Sequence, residues 1–384
     1  LLPFILTLGI VLGLFWIVQK KYPRKIALIV SVAVIGISLL FWWPRFVPGN
    51  AKLFGPSDGP AISFANLVKF VKKVPSMNKV TDIARDPKDI SLSVTRTAPG
   101  QVKIALETKE VIGSMADGVE FNYWTFNGTV PGPFLRVHEG DTVELSLTNN
   151  SSSVHNHNID LHAVTGPGGG AGVTNVAPGE SKTFSFKALN PGLYVYHCAH
   201  PNVATHMAHG MYGMILVEPK EGLPKVDKEF YIMQGEFYSK GDLGDKGLQI
   251  FDAQKMLDGK PEYVVFNGRT GGIIDKMQAK TGERIRIYVG NGGVNLISSF
   301  HVIGEIFDVV YPEGSMGLGT TVNKNIQTTL VPAGGATVVE FTVDVPGKYI
   351  LVDHALARLD RGAWGTLEVT GDANPEIFNT GEAS

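Results

Sequence analysis

The chain repeats itself. "YWTFNG" (123–128) returns as "YVVFNG" (263–268), "GDTVELSLTNN" (140–150) as "GERIRIYVGNG" (282–292), "PGLYVYHC" (191–198) as "PGKYILVDH" (346–354), and "GMYGMILVEP" (210–219) as "GAWGTLEVTG" (362–371), in the same order. Each stretch is short, apolar or alternating, and bounded by Gly, Pro or Asn, which is how β-strands between tight turns read. A repeat of this kind demands two similar β units, each with its own core. Helices between the strands are largely absent, so the expectation is a pair of antiparallel Greek-key sandwiches joined at the polar, Pro-bearing "EPKEGLPKVDK" (218–228). The copies differ in one respect: the first holds Cys198 and Met211, whereas the second has no Cys and places Ala363 opposite Met211.

The start of the chain is a different material. "LLPFILTLGIVLGLFWIV" (1–18) and "IALIVSVAVIGISLLFWW" (26–43) carry no charge, and each reaches the length of a spanning helix. Lys20, Lys21, Arg24 and Lys25 lie between them. A signal peptide would show a basic leader and a small-residue cleavage site, and neither is visible. The expectation is a transmembrane helical hairpin over 1–44 whose basic loop faces the cytoplasm. The rest would then face the periplasm from a bacterial inner membrane. The chain starts at Leu1, so further residues are expected upstream. Residues 45–90 read as a connector, and within it "FANLVKFVKKV" (64–74) puts Phe64, Leu67, Val68 and Val71 on one helical face with lysines elsewhere. Such a helix either lies on membrane lipid or packs on the globular part. Units then follow at 91–220 and 221–384.

A formal net charge of −2 gives no sign of a nucleic-acid partner, and a single Cys excludes an internal disulfide. That one Cys sits in "YHCAHPNVATHMAHGM" (196–211), among four histidines and two methionines. Cys198, His206 and Met211 form a soft donor set, and one more imidazole would complete a His₂Cys site with a weak axial Met, the geometry that suits copper in electron transfer. Zinc would favour more thiolates or a carboxylate. The second imidazole is available in "HNHNIDLHA" (155–163). Side chains alternate along a strand, so His157 and His162 point to opposite faces, as do the neighbours His197 and Cys198. One side collects His157, Cys198, His206 and Met211. The other collects His162 and His197, with Asp160 beside them. Two metal sites joined by the His197–Cys198 peptide are therefore implied. The second needs a further ligand, and the second unit offers only His301 and His354. Three imidazoles around a metal with an open position make a catalytic layout. Spacing does not say which of the two ligates and which stands by as an acid.

The segments "HNIDLHA", "YHCA", "HMAHGMYGMILVEPKEGLPKVDKEFY", "SSFHVIGEIFD" and "LVDHALARLDRGA" closely resemble the copper-containing nitrite reductases, over roughly 90–372. The resemblance implies an all-β fold of two tandem cupredoxin-like sandwiches, a homotrimer, and two copper ions per subunit. By it, His157, Cys198, His206 and Met211 match the type 1 copper ligands. His162, His197 and His354 match the type 2 ligands, with His354 supplied by a neighbouring subunit. Asp160 and His301 match the residues that deliver protons. Ile303 matches the bulky side chain that limits how substrate sits. The implied reaction takes nitrite to nitric oxide with one electron and two protons, the electron crossing from type 1 to type 2 copper. A small cupredoxin or cytochrome c is the family's usual donor, and a membrane hairpin points to quinol instead.

A two-domain, laccase-like multicopper oxidase is the competing enzyme. Its trinuclear cluster rests largely on His-x-His pairs, and this chain has one such pair, His155/His157, with two histidines in its second unit. A simple copper carrier would leave Asp160, His162, His197, His301 and His354 without a purpose. His155, His200 and His209 read as exposed loop histidines, and His138 is assigned no role. "GPGGGAG" (166–172) lacks the Lys-Ser/Thr of a phosphate loop and reads as a tight sandwich turn.

Overall fold

The structure, a computed structural model, describes residues 13, 15–46, 51–52, 62–96, 98–379 and 381. The first apolar run, 1–18, lies for the most part outside the described residues. The second forms helix α1 (Arg24–Phe46), entered from Pro23, whose missing N–H costs nothing at a helix start. Ala27 and Ser31 are buried, while Ile26, Leu28, Ile29, Val32 and Ile35 are exposed. Among the described residues no helix is long and apolar enough to cross a membrane. Helix α2 (Phe64–Lys73) covers the amphipathic segment. Val71 on its expected apolar face is exposed, and Lys73 Nζ donates to the carbonyls of Ser152 and Ser153 at 2.8 and 2.9 Å.

Eight strands build the first unit: β1 (Gln101–Ala116), β2 (Val119–Phe126), β3 (Leu135–His138), β4 (Thr142–Asn149), β5 (Asp160–Leu161), β6 (Ser181–Lys187), β7 (Gly192–His197) and β8 (Tyr212–Glu218). The second unit follows with β9 (Lys228–Phe237), β10 (Gly247–Gln249), β11 (Tyr263–Phe266), β12 (Met277–Lys280), β13 (Arg284–Asn291), β14 (Ser298–Ile303), β15 (Val309–Tyr311), β16 (Thr328–Val331), β17 (Ala336–Thr342), β18 (Gly347–Asp353) and β19 (Trp364–Thr370). One sheet of the first unit runs β2-β1-β4-β6, and its counterpart in the second runs β11-β9-β13-β17. The facing sheets run β3-β8-β7-β5 and β12-β19-β18-β14. The internal repeat is thus a repeat of topology.

The sheets are mixed and not purely antiparallel: β1 pairs parallel with β4, β3 with β8, β9 with β13, and β12 with β19. Greek-key crossovers bring together strands that are not chain neighbours, which alternation within a strand does not reveal. Alternation does set the cores. Val143, Leu145 and Leu147 of β4 face inward onto Phe126, Val137, Leu161, Phe186, Ile215 and Val217. Ile285, Ile287 and Val289 of β13 do the same against Phe300, Val302, Phe341 and Leu351. Full burial of each such side chain contributes about 1.5–3 kcal/mol. A third apolar cluster, with Tyr123, Tyr212, Met214, Tyr231, Met233 and Tyr288, joins the units.

Two further features bind the halves. Strand β10, from beyond the join, pairs parallel with β2 and extends the first unit's sheet. The segment before β1 is not a loose connector: Lys79, Ala84 and Ile90 bridge to Ile112, Val130 and Phe134, Ile83 is fully buried, and Asp82 pairs with Arg269 of the second unit.

Candidate metal centres

The loop between β4 and β5 carries His157, whose backbone exchanges two hydrogen bonds with Val176. Cys198 directly follows β7, and its N–H donates to the Met211 carbonyl at 3.1 Å, which pins the start of the loop to its finish. Within that loop a short helix, α3 (Val203–Met207), presents His206 inward. The result is a compact triangle: His157 Nδ1 to His206 Nδ1 is 3.2 Å, and Cys198 Sγ lies 3.3 Å from His206 Nδ1 and 3.9 Å from His157 Nδ1. His157, Cys198, His206 and Met211 are all buried in the first unit. Asn158 ties the triangle together, its N–H directed at Cys198 Sγ at 3.5 Å and its Oδ1 accepting from Ala199 N at 2.7 Å.

The chemistry of this donor set fits copper. Burial pushes the Cys198 thiol up to about 12 and holds the His157 and His206 imidazoles below their usual range, so without a cation the set is neutral. A soft cation would replace the thiol proton and be held by the thiolate and the two imidazoles, with buried Met211 the further soft donor of the set. No carboxylate is in the triangle to favour a hard metal.

Around it stands an aromatic shell. Trp124 on β2 stacks on His209 at 4.1 Å, lies 4.3 Å from His155 and meets His206 edge-on at 4.6 Å. His209 is therefore buried, contrary to the expectation of an exposed loop histidine; burial brings it down to about 3, and its Nδ1 donates to the Thr205 carbonyl at 2.7 Å. His155 is also nearly enclosed, with Nδ1 3.1 Å from Glu110 Oε1. His200 is partly exposed and pairs with Asn175 Oδ1 at 3.0 Å. His138, at the end of β3, is buried with Nδ1 beside its neighbour's carbonyl. Trp124, Asn158 and Glu110 were not among the expected site residues.

On the other side of β7 lies a second group. Asp160 pairs with His197 across β5 and β7. His162 Nε2 and His197 Nε2 are 3.1 Å apart, and Asp160 Oδ2 lies 3.9 Å from His197 Nε2. Burial lowers the His162 imidazole, as does His197 beside it. The Gly-rich turn makes room for the carboxylate: a Cβ at Gly169 would stand 1.8 Å from Asp160 Oδ1. Among the described residues the two side-chain groups able to hold a metal are His157–Cys198–His206 and Asp160–His162–His197.

His301 and His354 form a separate pair, their rings 5.3 Å apart on β14 and just after β18. His301 Nδ1 meets the Gln327 carbonyl at 2.6 Å, and the His354 N–H donates to Ser299 O at 2.8 Å. Within one chain neither touches His162 or His197 among the described residues. Ile303 is exposed on the same strand as His301.

Multicopper oxidase family models match residues 107–222 and 248–372, one on each unit. A copper-containing nitrite reductase of Neisseria meningitidis serogroup B is 56% identical over 309 residues, 80% of this chain and 77% of that protein. The chain belongs to the copper-containing nitrite reductases. A second such nitrite reductase, from Alcaligenes faecalis, is 36% identical over 72% of this chain and 77% of its own length. The solved copper nitrite reductase of Nitrosomonas europaea matches 72% of this chain and 96% of its own, with a TM-score of 0.63 and 36% identity. A solved multicopper oxidase matches 75% of this chain and 98% of its own at a TM-score of 0.61 and 29% identity. This nitrite reductase is therefore a copper oxidoreductase with a two-domain, cupredoxin-like fold.

Proposed function

We propose that this enzyme reduces nitrite to nitric oxide and water with one electron and two protons, using two copper ions per subunit. The observation that carries the reading is the placement of adjacent residues: Cys198 belongs to one donor group and His197 to the other. Type 1 copper would be held by His157, Cys198, His206 and Met211, and type 2 copper by His162, His197 and His354 of a second copy of the chain. Bound there, copper would supply one-electron transfer at the first set and, at the second, Lewis-acid activation and reduction of nitrite. The Cys198–His197 peptide is the short covalent link for the electron.

Two residues would handle protons. Asp160 stands within 3.9 Å of His197 Nε2, close enough to reach a ligand at that site directly or through a water. His301 has its Nδ1 committed as a donor to the Gln327 carbonyl, which can only accept, so Nε2 is the nitrogen free to exchange a proton. Ile303 lies two residues on and would restrict how nitrite sits.

A homotrimer, with the type 2 site shared between subunits, is supported by the surface around His301 and His354. Ile297, Ile303, Ile306, Leu330 and Leu356 are all exposed there, an apolar patch of the kind that subunit contacts cover. Attachment to a bacterial inner membrane, with the catalytic units in the periplasm, is supported by the charge-free run over 26–43 and the basic loop before it. Quinol, directly or through a membrane partner, is then the donor we favour over a small soluble cupredoxin or cytochrome c.

Nitric oxide release from nitrite under a chemical reductant tests the core of this reading. Asp160→Asn and His301→Ala are each expected to slow it by about 10²-fold or more while the visible type 1 absorption persists. Oxygen consumption with a phenol and no nitric oxide would favour an oxidase. For the donor, quinol oxidation driven by nitrite should be faster in the full chain than in a chain lacking residues 1–44. Equal rates would remove quinol from the scheme.

A further inference from the structure

Glu110 is a buried charged group that the reaction does not use. It lies on β1 in register with Trp124 on β2, and its side chain is fully enclosed. Oε1 accepts from the backbone N–H groups of Val154 and His155, both at 2.8 Å. The same oxygen lies 3.1 Å from His155 Nδ1 and 3.4 Å from His157 Nε2. Among the described residues Oε2 and His157 Nε2 are each buried without a hydrogen-bond partner, so the 3.4 Å approach of Oε1 to His157 Nε2 is a close contact and not a formed hydrogen bond. The ion pairs of Glu110 among the described residues are both with imidazoles and none with Lys or Arg. Enclosing a carboxylate with no permanent cation is unfavourable, so its retention here calls for a local reason.

We infer that Glu110 is a positioning residue for the first donor set, acting through His157. The inference rests on reading that set as a copper site. His157 points Nδ1 at His206 and Cys198, so Nε2 is its outward nitrogen. A neutral imidazole that gives Nδ1 to a metal carries its proton on Nε2, and that proton needs an acceptor. The nearest carboxylate oxygen is Glu110 Oε1. Carboxylate–histidine–metal chains of this type fix the tautomer and ring orientation and make the imidazole a stronger donor. Glu110 also holds Val154 and His155, the two residues that lead the chain toward His157, so one side chain sets both the ligand and the loop that carries it. Its negative charge favours the more highly charged Cu(II) state over Cu(I), so it lowers the reduction potential of the site.

Copper-loaded full-length protein decides this, with Glu110→Gln and Glu110→Asp compared against the unsubstituted chain by redox titration of the thiolate-to-copper visible band. Glutamine keeps the shape and an acceptor oxygen but removes the charge. The expected result is a band that persists and a reduction equilibrium shifted at least tenfold toward the reduced form, about 59 mV for one electron. Aspartate keeps the charge and is expected to shift less than glutamine. An unchanged equilibrium in the glutamine variant, or a larger shift with aspartate, overturns the inference. If the glutamine variant does not fold, ¹⁵N-histidine spectra of the reduced, diamagnetic protein decide: a slowly exchanging His157 Nε2–H supports the inference, and an unprotonated or freely exchanging Nε2 overturns it. Cys198→Ala serves as the separate control, because a visible band that survives it would break the copper assignment and not the role of Glu110.

Discussion

Single atoms decide the second donor group. Gly169 has φ +54°, in the left-handed region, and the space where its Cβ would be is filled by Asp160 Oδ1 at 1.8 Å and Leu161 O at 3.0 Å. Gly169→Ala is expected to displace the Asp160 carboxylate and so lower nitrite turnover by about 10²-fold, the scale of a lost general acid, with type 1 absorption unchanged. Adding Asp160→Asn to it should cost little more, since both act on one group; full additivity in the nitric oxide assay would separate them. The Gly run thus has a local task that its reading as a plain tight turn did not contain. Other residues were legible earlier. The donor atoms of His157 and Cys198 fall into one group and those of His162 and His197 into the other, but β5 spans only Asp160–Leu161 and His157 sits in the loop before it, so loop geometry and not strand alternation places them. Glu110 was harder to see because Glu107 and Lys109 flank it and suggest a solvated face. The buried phase of β1, with Leu106, Thr108 and Glu110 all inward, is the signal that finds it. His209 escaped because its cover is Trp124, distant in sequence, and stacking between loops leaves no periodic trace.

At the scale of strands, the repeat carried most of the fold. Residues 123–128 and 263–268 lead to β2 and β11, which occupy equivalent places in their sheets. The parallel pairings and the borrowed strand β10 were not legible, because pairing partners are set by crossovers and not by the pattern within one strand. The same holds for the polar joint between the units. Arg136 on β3 is buried and pairs with Glu218 at the end of β8 and with Glu229 on β9 at 2.8 Å. Arg286 on β13 reaches Glu229 at 3.0 Å and Glu340 on β17 at 2.6 Å, and Tyr288 donates to Glu229 at 2.7 Å. Removing one partner leaves the others, of which Glu218 and Arg286 are buried and Glu229 is part-buried, short of an opposite charge. Arg136→Leu is expected to destabilise the protein by about 3–5 kcal/mol, measured by denaturant unfolding, because Glu218 and Glu229 lose their shared cation. A loss below about 1 kcal/mol would mean that water reaches the joint and screens it. Both donor groups lie away from Arg136, so copper content at low temperature should be unaffected.

For the molecule as a whole, the separation of His162 and His197 from His301 and His354 is the fact with the largest consequence. If the type 2 site is completed by a second copy, defects in different chains can repair one another. His162→Ala leaves a chain that can still offer His354, and His354→Ala leaves one that can still offer His162 and His197. Each variant alone is expected to be inactive with nitrite while keeping its type 1 absorption. Mixed by unfolding or dissociation and reassembly, the two should form trimers in which some sites draw both intact contributions from different chains. Random assembly in a closed ring makes this about one site in four, so turnover should recover to roughly a quarter of the unsubstituted value. A site built within one chain recovers nothing under the same treatment, because every chain in the mixture carries a broken set. Leu330→Asp gives the complementary test. A charge in the exposed apolar patch beside His301 should weaken assembly, so that sedimentation shows smaller species and activity falls with dilution. Activity that is independent of concentration in that variant would place the working site inside the single subunit.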